Sequence, residues 1–120
     1  MDYRSIAEAE AKRYGVFWCT GQCGSYRGHK RGFACKHEPI VHLASTISTR
    51  STLHRFMHEL GHTQDKDYSK RQYEREAYAE SFASAKLREY GIPLPRKQIA
   101  LGKRYIARKK RHGDRIIASK

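Results

Sequence analysis

The segment from residue 53 to residue 62 constrains the fold most, because two helical patterns overlap in it. Four apolar side chains recur at i, i+3, i+4 and i+7, and they are Leu53, Phe56, Met57 and Leu60. This spacing is typical of a helix that buries one stripe in a core. His58 and His62 are four residues apart, so their imidazoles lie one turn apart on another face of that helix. The segment therefore predicts an amphipathic helix with two histidines side by side.

The residues before this helix predict another helix and three short strands. A helix is expected at residues 2–14, with Asp2 as its N-cap and Gly15 ending it. Three short apolar or aromatic runs then predict strands, at residues 16–18, 32–35 and 40–44. Glycine and serine between the first two runs predict a loop.

The rest of the chain predicts helices only. Three residues can cap the helix that carries the histidines, namely Ser48, Thr49 and Ser51. That helix is expected to end near Gln64, and a longer one is expected from about residue 69 to residue 90, ended by Gly91. A last, basic helix is expected at residues 97–112. This order of elements predicts a small α+β domain.

The composition excludes several classes of protein. No stretch approaches the ~20 apolar residues of a membrane-spanning helix, so no membrane partner is expected. The first residues, MDYRS, do not lead into the apolar segment of a secretory signal, which favours the cytoplasm. Three cysteines cannot all pair with one another, and we expect reduced thiols.

The two histidines predict a metal site. One turn apart on a helix, His58 and His62 can both reach one Zn²⁺ at ~2.0–2.1 Å. Glu59 follows the first histidine and points to the side, near a water on the metal rather than toward the metal itself. This pattern is a known signature of zinc peptidases, with the glutamate as general base. The alternative is a chance pair of histidines on an exposed helix.

A third protein ligand is expected on the following helix. No histidine comes after His62 until His112, so a carboxylate is needed. Six residues of the next helix share one face, and they are Tyr73, Glu76, Glu80, Ala83, Leu87 and Tyr90. Ionised carboxylates enter such a face only with a partner, and a metal with its histidines supplies one. The alternative is a solvated face with Arg75 or Lys86 as ion-pair partner.

Two short motifs carry a resemblance to a known family, and they are His58-Glu59-Leu60-Gly61-His62 and Glu76-Ala77-Tyr78-Ala79-Glu80. Together they resemble gluzincin-type zinc metallopeptidases, in a minimal single-domain form similar to ImmA/IrrE-like proteins. The resemblance implies a zincin-like fold, in which a short sheet packs on the HExxH helix and on the helix that follows. It also implies Glu76 as third ligand and Glu80 as the residue that orients the first histidine.

The resemblance leaves two points open. Phe82-Ala83 lies two residues farther from Glu76 than the family pattern, which keeps Glu80, or else Glu74, as a rival ligand. The resemblance also implies that residues 40–44 form the edge strand that binds extended peptide, whereas the residues alone equally suit a core strand.

The function expected is zinc-dependent hydrolysis of peptide bonds in a protein or peptide substrate. One catalytic Zn²⁺ lowers the pKa of its bound water to about 7 and polarises the scissile carbonyl, while Glu59 accepts the water's proton. Four residues can stabilise the oxyanion, and they are His42, His54, Tyr68 and Tyr73. The alternative is a zinc-stabilised, non-catalytic nucleic-acid-binding or regulatory protein. A third hypothesis is a basic DNA-binding module that has the motif by accident.

The cysteines suggest a second, structural zinc site. Its ligands would be Cys19, Cys23, Cys35 and His37, in the pattern C-x3-C-x11-C-x-H. Only the first spacing is typical of such sites. The alternatives are small reduced side chains, or a thiol at Cys19 or Cys23 that switches the protease by binding its zinc.

The positive charge is concentrated at the C-terminal end. Residues 1–95 carry a net charge of +4 and residues 96–120 one of +9, which predicts a domain at 1–95 followed by a basic helical extension. Its densest part consists of Lys103, Arg104, Arg108, Lys109, Lys110 and Arg111. These predict contacts with the phosphate backbone of nucleic acid or with an acidic protein. The alternative is a solvated helix that aids solubility.

Overall fold

The computed structural model describes the backbone of residues 2–20, 32–34, 40–43, 46–67 and 69–118, and side chains at 2–20, 40–43, 46–67 and 69–111. Within these ranges the chain forms four helices and one small sheet. In chain order they are α1 (Tyr3–Tyr14), β1 (Phe17–Thr20), β2 (Gly32–Ala34), β3 (Ile40–Leu43), α2 (Arg50–Gln64), α3 (Gln72–Glu89) and α4 (Arg96–Ala118). The predicted α+β class is confirmed.

Helix α1 begins and ends where the sequence predicts. The Asp2 carboxylate accepts a hydrogen bond from the Ser5 backbone N–H at 2.7 Å, which satisfies one of the free donors of the first turn. Gly15 ends the helix in the left-handed conformation, with φ at 66°. The buried side of α1, which includes Ile6 and Ala11, packs against α2.

The sheet has the order β1-β3-β2. β1 pairs with β3 in parallel and β2 pairs with it antiparallel. The implied edge strand at residues 40–44 is therefore wrong, because Ile40–Leu43 is the central strand. Its apolar side chains explain the position, since Val41 and Leu43 are buried in the core, and a strand paired on both sides suits such residues.

Helix α2 supports the sheet from one side. Of the three predicted caps, Thr49 is the N-cap of the helix. Its hydroxyl accepts a hydrogen bond from the backbone N–H of Thr52, and the Thr52 hydroxyl accepts one from the backbone N–H of Thr49. The apolar stripe predicted for this helix is buried, and it consists of Leu53, Phe56, Met57 and Leu60. The sheet, α1 and α3 all contact α2, so α2 lies at the centre of the domain.

Helix α3 starts later than predicted and α4 ends later. Asp67 accepts hydrogen bonds from the backbone and hydroxyl of Ser69, and this local turn delays α3 until Gln72. Gly91, with φ at 69°, ends α3 as predicted. The backbone of α4 stays helical through Gly113 to Ala118, because each interior glycine costs a helix only about 1 kcal/mol. α4 packs on α3, and the predicted division at residue 95 stays a prediction. Among the described residues, no helix has both the length and the apolar character needed to cross a membrane.

Substitution of Phe56 in the core should lower the stability of the domain strongly. The Phe56 side chain is 0% exposed and meets the Trp18 ring edge-on, with 5.5 Å between centroids. Phe56→Ala should lower the free energy of unfolding by about 3–5 kcal/mol, because apolar surface is no longer buried and a cavity forms. Urea denaturation in EDTA measures this without any contribution from metal. Phe17→Ala, at a side chain 73% exposed, is the matched control and should change it by about 0.5 kcal/mol or less. Equal effects of the two variants would contradict this core.

Candidate metal centre

Helices α2 and α3 approach each other closely at a glycine, Gly61. A Cβ built on Gly61 would lie 3.0 Å from the Cβ of Phe82 and 3.1 Å from the Cα of Ala79. Real side chains rarely tolerate such distances, so only glycine lets the helices come this near. The approach matters because Gly61 lies between His58 and His62, and Ala79 lies one turn from Glu76. The side chains of His58 and His62 on α2 and of Glu76 on α3 therefore meet next to this contact.

Three donor atoms converge at that point. The Nε2 atoms of His58 and His62 are 3.1 Å apart. The Glu76 carboxylate lies 2.9 Å from Nε2 of His58 and 3.4 Å from Nε2 of His62. Ligands ~2.0–2.1 Å from one tetrahedral ion are separated by about 3.3 Å, so these separations suit a shared metal. His58, His62 and Glu76 form a group that can hold a metal ion.

Glu80 contacts the same histidine from its other side. Its Oε1 lies 2.7 Å from Nδ1 of His58, so the carboxylate fixes the ring with Nε2 turned toward Glu76 and His62. Glu80 is thus placed to orient a ligand rather than to join the converging atoms. Glu74, the other rival, is exposed on α3.

The two carboxylates of this cluster favour a positive charge beside them. Burial on its own lowers the pKa of His58, but hydrogen bonds to Glu76 and Glu80 outweigh it and raise that pKa to about 9. Burial raises the pKa of Glu76, but its contacts with His58 and His62 lower it to about 2. Glu80 behaves likewise, and its contacts with His54 and His58 lower its pKa to about 2. At neutral pH a proton on His58 offsets one of the two carboxylate charges, and a metal ion held by this group would offset the other.

Glu59 is buried beside the converging atoms. Its side chain is 7% exposed. Burial raises its pKa, and the nearby His58 and His62 oppose that rise without cancelling it. A carboxylate with a raised pKa accepts protons more readily than an ordinary glutamate. The arrangement therefore places a carboxyl group of raised pKa near the group that can hold a metal.

The structure separates the candidates for oxyanion stabilisation. His54 is only 4% exposed, and its Nε2 lies 3.3 Å from Oε2 of Glu80, so it faces Glu80 inside the protein. Nδ1 of His42 lies 2.8 Å from Sγ of Cys19, across the pair of β1 and β3. Tyr73 is half-buried on α3, one turn before Glu76. Tyr68 lies outside the described residues.

The second zinc site lies mostly outside the described residues. Cys19 is the one predicted ligand within them, and it is disulfide-bonded. The expectation of a reduced thiol is therefore wrong for this residue, and a metal would require its reduction first. The other three predicted ligands are outside, and they are Cys23, Cys35 and His37. The structural zinc stays a prediction.

A glycine in α4 is a site feature that the sequence analysis missed. A Cβ built on Gly102 would lie 3.0 Å from Cδ of Glu80 and about as near to both its oxygens. The backbone of α4 therefore covers the carboxylate that orients His58. A glycine inside an otherwise regular helical segment was the signal, because such a residue often marks a close approach.

The site thus rests on the geometry of its own residues. Two histidines of α2 and one glutamate of α3 converge, a second glutamate braces the first histidine, and a buried glutamate lies beside them. No family model, curated protein or solved structure matches this chain.

Proposed function

We propose that this chain is a zinc-dependent metallopeptidase that hydrolyses peptide bonds of a protein or peptide substrate. The observation that carries the proposal is the convergence of His58, His62 and Glu76 to within metal-binding distance beside the buried Glu59. Two imidazoles and one carboxylate are a ligand set of catalytic zinc sites. Three protein ligands leave one position open, whereas a structural site closes with four.

Each residue has a distinct part in the proposed reaction. Bound zinc would polarise the scissile carbonyl and make a water molecule more acidic. Glu59 takes the proton of the attacking water and gives it to the leaving amine, and its raised pKa suits both transfers. Glu80 holds the ring of His58 in the orientation that its ligand role needs.

Two further elements suit a peptide substrate. β2 is an edge strand of the described sheet and contacts α2, so an extended peptide can add to its free side by backbone hydrogen bonds. Among the described oxyanion candidates, His54 lies against Glu80 and His42 against Cys19, which leaves Tyr73, on the face of α3 that carries Glu76. Its hydroxyl is therefore the donor we assign to the developing oxyanion.

The test is zinc-dependent cleavage of a random peptide library, read by mass spectrometry. Zinc-loaded protein should cut a subset of peptides, EDTA-stripped protein should cut none, and reloading should restore the same subset. Glu74→Gln, at an exposed site on α3, should leave the cleavage pattern unchanged. Loaded protein that carries zinc but cuts neither this library nor an unfolded protein would favour the non-catalytic alternative.

A further inference from the structure

Helix α4 presents a dense set of cations to solvent. Seven Lys and Arg side chains between residues 96 and 111 are exposed, and they are Arg96, Lys97, Lys103, Arg104, Arg108, Lys110 and Arg111. The same stretch contains no Asp or Glu. None of the seven forms an ion pair with a carboxylate among the described residues. Their charge is therefore not compensated within the described part of the chain.

These cations form a row rather than a scatter. The side of α4 that packs on α3 is half-buried and includes Ile99, Gly102 and Ile106. Four of the exposed cations follow the opposite side, at spacings of seven, four and three residues, and they are Lys97, Arg104, Arg108 and Arg111. At 1.5 Å per residue this row is about 21 Å long.

We propose that this outer face of α4 binds the phosphate backbone of double-stranded nucleic acid without sequence preference. A strand of duplex carries one phosphate per 3.4 Å of axis, so a row about 21 Å long passes about six phosphates. Three of the four side chains in the row are arginines, whose planar guanidinium forks match phosphate oxygens. Cations alone read the backbone and not the bases, which makes the binding non-specific.

The apolar side of α4 disfavours an anionic membrane as the partner. A helix that lies on a membrane turns its apolar side outward into the lipid. Here Ile99 and Ile106 are on the side that faces α3, and between residues 96 and 111, where side chains are described, the exposed large apolar residue is Leu101, at 42%. The face that α4 offers to a partner is cationic and not amphipathic.

The experiment measures the binding of fluorescein-labelled duplex DNA of mixed sequence to the full chain in EDTA, by anisotropy over a series of KCl concentrations. The test variant replaces the row, as Lys97→Gln, Arg104→Gln, Arg108→Gln and Arg111→Gln. The control removes the same amount of charge from exposed sites outside α4, as Lys12→Gln, Arg50→Gln, Lys66→Gln and Arg88→Gln. Substitution is preferable to deletion of α4, because deletion would uncover Glu80.

We expect a micromolar Kd at about 50 mM KCl that weakens steeply with salt. The test variant should bind at least about tenfold more weakly, and the salt slope should fall by about 0.9 for each phosphate that the protein no longer neutralises. The control should bind within about threefold of the unaltered chain. Equal weakening by both variants would overturn the assignment to α4. Vesicles with anionic lipid, or an acidic peptide, that bind as tightly as the duplex at equal salt would overturn the choice of partner.

Discussion

Purified His58→Ala and Glu76→Ala protein should contain no zinc, whereas the unaltered chain should contain one zinc per molecule at this site. Each substitution removes one of three converging donors and leaves two, which do not hold zinc against dialysis. The loss of His58 also removes a hydrogen-bond partner of Glu76 and of Glu80, which both lie within 3 Å of its ring. Elemental analysis after gel filtration gives the stoichiometry, and circular dichroism shows whether each variant is folded.

Two further variants make the zinc result specific. Glu74→Ala removes an exposed carboxylate from the same helix and should keep the full zinc content. Glu80→Gln should keep zinc but bind it about 10–100-fold more weakly, because the residue orients a ligand without being one. Zinc retained at full stoichiometry by folded His58→Ala would remove the proposed centre. A second zinc that persists in this variant and disappears after Cys23→Ala would instead establish the structural site.

Glu59→Gln should keep its zinc and lose about 10²–10⁴-fold in kcat/KM for a peptide identified from the library. Glutamine has the size of glutamate but its amide cannot accept the proton of the attacking water. The substitution also suits a buried position where burial already raises the pKa of the carboxyl group, so the fold should tolerate it. The measurement compares initial rates at equal zinc content.

The control for this loss is Glu74→Gln, which makes the same chemical change at an exposed site on α3. It should keep kcat/KM within about twofold. A Glu59→Gln protein that retains zinc and more than about a third of the activity would show that another group acts as the base. Loss of zinc together with activity would instead assign Glu59 to the metal.

The sequence predicts α2 well because every local signal there agrees. The Thr49 cap, the apolar stripe that includes Phe56 and the pair of histidines all require the same helix in the same orientation. Gly61 completes the pattern, since it admits α3 at a distance no larger residue allows. Where capping, periodicity and close packing coincide, the sequence is sufficient to place side chains on faces.

Other features depend on contacts between distant segments, which periodicity does not report. The residues of Ile40–Leu43 suit an edge strand and a central strand equally well, and only the pairing with its two partner strands distinguishes them. His54 is an oxyanion candidate in the sequence, and only the structure shows its contact with Glu80. The cover over Glu80 depends on how α4 crosses α3, and a helical pattern fixes which face is apolar but not where along the partner it lands.

Gly102, one of two glycines inside α4, lies against the carboxylate that contacts His58. An interior glycine costs a helix about 1 kcal/mol relative to alanine, yet any side chain here would press on the carboxylate of Glu80. Local opening of α4 at Gly102 would therefore uncover Glu80, whose Oε1 contacts the ring of His58. A force that lifts one end of α4 would then act on the residue that holds one of the proposed metal ligands in place.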